Sequence, residues 1–130
     1  MPELVQVATT PDPFAPYRIS QAIRVGDLVF VSGQAALDLD GSLVGGDDFR
    51  AQAEQAFTML GRVLEAAGSG LDRVAKVTIY LTDMRHFPTI VELRGKYFSQ
   101  PYPADTIVQV AALALPQLQV EIDAIAAVRG

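Results

Sequence analysis

The sequence contains no cysteine and a single histidine, His86. Disulfides, thiolate metal sites and cysteine nucleophiles are thereby excluded, and one imidazole cannot make a His-based metal site. Charge is also scarce. Only 19% of residues are charged, and ten Lys/Arg stand against fifteen Asp/Glu. The formal charge of −5 leaves no obvious basic face for nucleic acid. No segment approaches the roughly 18 consecutive apolar residues that a membrane span needs. Met1-Pro2-Glu3-Leu4-Val5-Gln6 lacks the basic start and apolar run of a signal peptide, so a cytoplasmic location is expected. What remains is Ser, Tyr, Arg or carboxylate chemistry, or binding alone.

Apolar residues, by contrast, are abundant, at 50% of the 130. That is enough to form a core in one domain spanning 1–130, and too much for long disorder. Pro11-Asp12-Pro13-Phe14-Ala15-Pro16 reads as an irregular loop, since clustered prolines suit neither helix nor central strand. Gln21 to Gln34 reads as a β-hairpin, with Ala22–Val25 and Leu28–Ser32 joined at Gly26-Asp27. Asp38-Leu39-Asp40-Gly41 reads as a further turn.

A helix opens at Gly45-Gly46-Asp47-Asp48, where either Asp serves as cap. Ala53, Ala56, Phe57, Leu60, Val63, Leu64 and Ala67 form its apolar stripe, and Gly68 ends it. Val74 to Leu81 is a strand, with Lys76, Thr78 and Tyr80 on one face. A second helix covers about Pro88 to Phe98. Thr106–Leu113 and Val120–Val128 are the last strands. This order predicts an α+β (mixed α/β) layer with two helices on one sheet face. The uncovered face then calls for a partner subunit.

Several ordered segments together carry a resemblance. They are Pro16-Tyr17 with Ser20-Gln21-Ala22, and Val25 to Gln34. Phe49-Arg50-Ala51-Gln52 leading into Leu64 to Gly68 follows, then Val77 to Met84. Pro103-Ala104 and Val120 to Ala126 close the series. In this spacing the chain resembles the YjgF/RidA family of reactive imine and enamine deaminases, from about Tyr17 to Val128. The resemblance implies a chorismate-mutase-like fold with a six-stranded mixed sheet. It implies a homotrimer with small-molecule clefts between subunits, and hydrolysis of 2-imino acids without metal or cofactor.

The resemblance also implies site residues. Glu121 matches the family's acidic residue that positions or activates the attacking water. A carboxylate near the C=N carbon can accept that water's proton. Tyr17 matches the site tyrosine, and Ser32 and Gly33 match the strand-end residues that meet ligand carboxylates. Asp105 is the departure: it follows Pro103-Ala104 where the family carries an arginine that pairs with the substrate carboxylate. Losing such a pair costs about 1.5–3 kcal/mol, and like-charge repulsion adds to it. Arg24 and Arg94 are the candidates to replace that arginine. If Asp105 and Glu121 share a cleft, repulsion between them makes an acid/base pair. The expected function is hydrolysis of an imine or enamine other than the usual 2-imino acids. The alternatives are a non-catalytic trimeric metabolite-binding protein and an endoribonuclease or translation inhibitor; a pI of 4.6 disfavours the last.

Overall fold

The computed structural model describes residues 2–130. One sheet runs through it, built from β1 (Leu4–Val7), β2 (Ala22–Val25), β3 (Leu28–Gln34), β4 (Val74–Leu81), β5 (Ala104–Gln109) and β6 (Val120–Ala127). The strand order is β1-β2-β3-β6-β4-β5. Only β4 and β5 run parallel, and α2 (Phe87–Tyr97) makes the crossover between them. The other helix, α1 (Phe49–Ala66), joins β3 to β4.

α1 forms where its spacing predicts. Ala53, Ala56, Phe57, Leu60, Val63 and Leu64 are buried against the sheet. Of the two candidate caps, Asp48 is used: its side chain accepts from the Ala51 N–H at 3.2 Å. At the other end Gly68 takes φ +80°. The Ser69 N–H then reaches the Leu64 carbonyl at 2.8 Å and the Gly68 N–H reaches Glu65 at 3.0 Å. That double closure satisfies carbonyls the helix leaves open.

Strand alternation sorts the sheet into two faces. Val29 and Val31 of β3, Val77, Ile79 and Leu81 of β4, and Val120, Ile122, Ala124 and Ala126 of β6 join the helices in one core. Leu28, Phe30 and Ser32, then Thr78 and Tyr80, then Glu121, Asp123 and Ile125, line the opposite, open face. This is the expected layer, a six-stranded mixed sheet with two helices on one side.

Apart from one-residue differences at α2 and β6, three places differ from the predicted layout. Leu4–Val7 adds an edge strand on β2. Only Val7 of it is buried, so the apolar signal is too short to read. β3 continues through Gly33 to Gln34 rather than ending at Gly33. β5 covers Ala104–Gln109 rather than Thr106–Leu113. Its limits follow β4, because Lys76 pairs with Ala104 and Leu81 with Gln109. Beyond Leu81 there is no strand left to pair with.

Candidate functional site

β3 and β6 pair in register up to Val31 opposite Ala124, and resume at Gln34 opposite Ile122. Ser32 and Gly33 therefore face the single residue Asp123. That is a β-bulge, which bends the strand and takes one residue out of the ladder. Glu121 of β6 lies directly over it. A Cβ on Gly33 would sit 2.5 Å from Glu121 Cδ, and closer still to Oε2. Gly33 is thus glycine for steric reasons: the carboxyl group occupies its side-chain space.

This bulge floors a cleft of about 780 Å³. One wall is the loop of Pro11 to Ile19, with Phe14, Tyr17 and Ile19 on the cleft. A second is the segment after β3, with Ala35, Leu37 and Leu39. The third comes from the β5–β6 connection, through Leu115 and Leu118. Tyr17, Ser32, Gly33 and Glu121 all line this one cleft, and Asp105 is not among the lining residues.

Buried amides hold these walls. Gln21, fully buried, accepts from the backbone N–H of Thr9 and so pins the proline-rich loop. Asp12 accepts from the Phe14 N–H at 2.8 Å within that loop. Gln52 of α1 donates to Gln117 O at 2.8 Å and to Gly46 O at 2.7 Å, and accepts from the Gln119 N–H at 2.9 Å. It thereby ties α1 to the third wall. Neither glutamine stands among the site residues expected from sequence. The available signal was a glutamine on the otherwise apolar side of α1.

Glu121 makes no hydrogen bond or ion pair among the described residues. Burial pushes its pKa above the usual glutamate range, and the negative charge of Asp123 pushes the same way. Asp123 itself accepts a 2.9 Å hydrogen bond from the Tyr80 hydroxyl. Ser32 donates its hydroxyl proton to Ser20 O at 2.6 Å, so that proton is engaged within the chain. Tyr17 is 69% exposed, further out than a half-buried ring.

Asp105 pairs in register with Val77, whose side chain is in the core. It therefore lies on the helix face of the sheet, and Glu121 lies on the open face. The expected acid/base pair between them does not form within one chain. Instead Arg94 of α2 grips Asp105 with both arms, Nε to Oδ2 and Nη2 to Oδ1, each at 2.9 Å. The Arg94 guanidinium also stands over the Phe87 ring at 5.5 Å from its centroid. Arg24 is on the helix face too, in a recess with Glu65 to Gly68 at the end of α1. Neither arginine lines the cleft. His86 stacks flat on Phe49 with centroids 4.0 Å apart, a packing role. Among the described residues no group of three or more His, Cys, Asp or Glu is arranged to hold a metal ion. No described helix is long and apolar enough to cross a membrane.

The sequence and the fold match one class of known proteins along nearly the whole chain. Residues 7–128 match the family described as Endoribonuclease L-PSP. Protein HMF1 of Saccharomyces cerevisiae is 43% identical over 117 residues, covering 90% of this chain and 89% of that protein. A mouse protein named 2-iminobutanoate/2-iminopropanoate deaminase is 41% identical over 121 residues, covering 92% of this chain and 88% of its own. The crystal structure of RidA from an Antarctic Psychrobacter superposes with a TM-score of 0.87 at 39% identity, covering 95% of this chain and 99% of that one. The chain belongs to this family, the YjgF/RidA family.

Proposed function

We propose that the chain hydrolyses small imines, or enamines after tautomerisation, with Glu121 activating the attacking water. The observation that carries this reading is the Glu121 carboxyl group, half-buried and unpaired over Gly33 at the floor of the cleft. Water adds to the C=N carbon, forming the C–O bond as the C=N π pair moves to nitrogen. Glu121 takes the water proton. It passes that proton to nitrogen, giving the carbinolamine; the hydroxyl proton then follows by the same route, the oxygen pair forms the C=O bond, and the C–N bond breaks with its electron pair on the departing ammonia. The raised pKa suits this exchange, since a base whose conjugate acid is nearer neutral can also give the proton back. Similarity to proteins named imine deaminases supports the same chemistry.

The usual 2-imino acids fit this chain poorly. A carboxylate, Asp105, stands where the family carries its anchoring arginine, and Arg94 neutralises it. Within one chain no lysine or arginine lines the cleft to take over. The same lack of cations disfavours RNA as substrate. A homotrimer with clefts completed by neighbouring subunits goes with this reading. Leu28, Phe30 and Val108 leave the open sheet face apolar, at 42%, 43% and 38% exposure.

The test is ammonia release from imines generated in situ, compared between the native chain and Glu121→Ala. Acceleration by the native chain and its loss in the variant is the expected result. Equal rates for the two would refute the role of Glu121. A ligand held in the cleft with no turnover would leave a metabolite-binding protein instead.

A further inference from the structure

We infer that two glutamines of α1, Gln52 and Gln55, are positioning residues. From behind the cleft they hold two of its walls, and Gln52 also sets where β6 presents Glu121. This rests on the reading of Glu121 given above and adds what keeps that carboxyl group in place. Every contact involved lies within one chain and does not depend on what a neighbouring subunit adds to the cleft.

Gln52 is on the core side of α1, next to Ala53 and one turn from Phe49 and Ala56, and is 1% exposed. An apolar side chain would continue the stripe there, and burying an amide is unfavourable unless its polar atoms are bonded. All of its side-chain bonds leave the helix. Nε2 donates to Gly46 O and to Gln117 O, and Oε1 accepts from the Gln119 N–H. Gln52 itself does not line the cleft.

The stretch it grips has little else to hold it. Residues 110–119 run between β5 and β6 without helix or strand, yet Leu115 and Leu118 wall the cleft. Three segments converge on Gln119. Its N–H goes to Gln52, its carbonyl accepts from the Thr82 N–H at 3.1 Å, and its side chain donates to Asp47 O at 2.9 Å. The ladder with β4 begins at the next residue, Val120 opposite Leu81, and Glu121 follows. Glu121 is thus two residues from the clamp, with extended backbone between them and little slack.

Gln55 serves the second wall. Its Nε2 donates to Leu37 O at 2.9 Å. Leu37 and Leu39 reach the cleft from a loop closed by Val44 N–H to Ala36 O and Asp38 N–H to Ser42 O, each at 2.9 Å. Ala53, Phe57 and Leu60 fix α1 in the core. Walls hung on that helix inherit its rigidity. Misplacing a reacting group by about 1 Å costs about 10²-fold in rate, so such anchoring bears on catalysis.

Three variants of the full chain test this. Gln52→Met keeps the side chain's length and removes its three bonds. Ser69→Ala is the control. Ser69 is also buried and donates to Ala127 O at 2.6 Å, so its loss breaks a buried bond at the far end of β6. Hydrolysis of an imine generated in situ, melting temperature and backbone amide signals are measured for each. Gln52→Met should lower kcat by about 10–100-fold. It should also displace the amide signals of Glu121 and Gly33, neither of which Gln52 touches. Ser69→Ala should lower the melting temperature as well, yet leave kcat and those two signals nearly unchanged. A kcat for Gln52→Met no lower than for Ser69→Ala, or Glu121 and Gly33 signals left in place, would overturn the inference. Gln55→Ala removes one bond from a half-buried residue and keeps the test open if Gln52→Met does not fold. It should raise KM several-fold with kcat kept, because the wall touches bound substrate and transition state alike. An unchanged KM would overturn the inference at Gln55. A native chain without imine hydrolysis removes the hydrolase reading alone. Displaced Glu121 and Gly33 signals in Gln52→Met then still uphold the positioning, and unmoved ones still overturn it.

Discussion

Glu121 and Gly33 occupy one volume between them, and each explains the other. A methyl group at position 33 would meet the Glu121 carboxyl carbon at 2.5 Å. Gly33→Ala should therefore displace Glu121, abolish most imine hydrolysis and lower stability by about 1–3 kcal/mol, the usual cost of overpacking. Denaturant unfolding alongside the rate checks both. Glu121 itself is held at a cost. Its folded-state pKa is raised, so the folded chain binds more protons than the unfolded one between the ordinary and the raised value. Stability then falls as pH rises through that window, and above it the penalty is complete. Glu121→Gln removes the ionisation. Its melting temperature should exceed the native one at pH 7, and the gap should close below about pH 4, where both states of Glu121 are protonated. A lower melting temperature at pH 7 would contradict this.

Much of the candidate site's lining could be read from residues in order. Tyr17, Ser32, Gly33 and Glu121 lie far apart in sequence and meet at one cleft. Asp105 could not be placed that way. Its face depends on the parallel register of β5 against β4, which puts it opposite Val77. A strand read as starting at Thr106 leaves Asp105 outside the alternation altogether. Its partner Arg94 was equally hidden, because their contact crosses the turn between a helix and a strand.

Among the elements, α1 was the most legible. Its stripe, its Asp cap and its terminal Gly68 all agree with the folded helix. Asp48→Ala should cost about 1 kcal/mol, measured by thermal or denaturant unfolding, because the Ala51 N–H loses its acceptor. The edge strands were the least legible. β1 buries one residue, and β5 takes its limits from β4 rather than from its own sequence. α2 is joined to β5 by Arg94 and Asp105, whose side chains are 23% and 20% exposed. A two-armed pair this sheltered should matter: Arg94→Ala and Asp105→Ala should each cost about 1–3 kcal/mol. The double variant should cost less than the sum, since each single change already breaks the pair. Full additivity would mean that the pair contributes nothing.

At the scale of the whole molecule, the two sheet faces differ in kind. One is closed by the helices, and the other carries Leu28, Phe30 and Val108 in the open. The proposed trimer of 14.0 kDa chains predicts a mass of about 42 kDa by light scattering. Phe30→Asp, 43% exposed in the single chain, should shift that mass toward the monomer if the open face is the interface. A native mass near 14.0 kDa would exclude the trimer.

The pH dependence of imine hydrolysis bears most directly on Glu121 as the proton acceptor. Both the native chain and Glu121→Gln are measured on an imine generated in situ, with the uncatalysed rate subtracted at each pH. Native kcat/KM should rise as Glu121 ionises, with a midpoint above the usual glutamate range, as its burial requires. At pH 7 the variant should be slower by about 10²–10⁴-fold and should lack that rise. A variant as fast as the native chain, with the same profile, would mean that Glu121 does not activate the water.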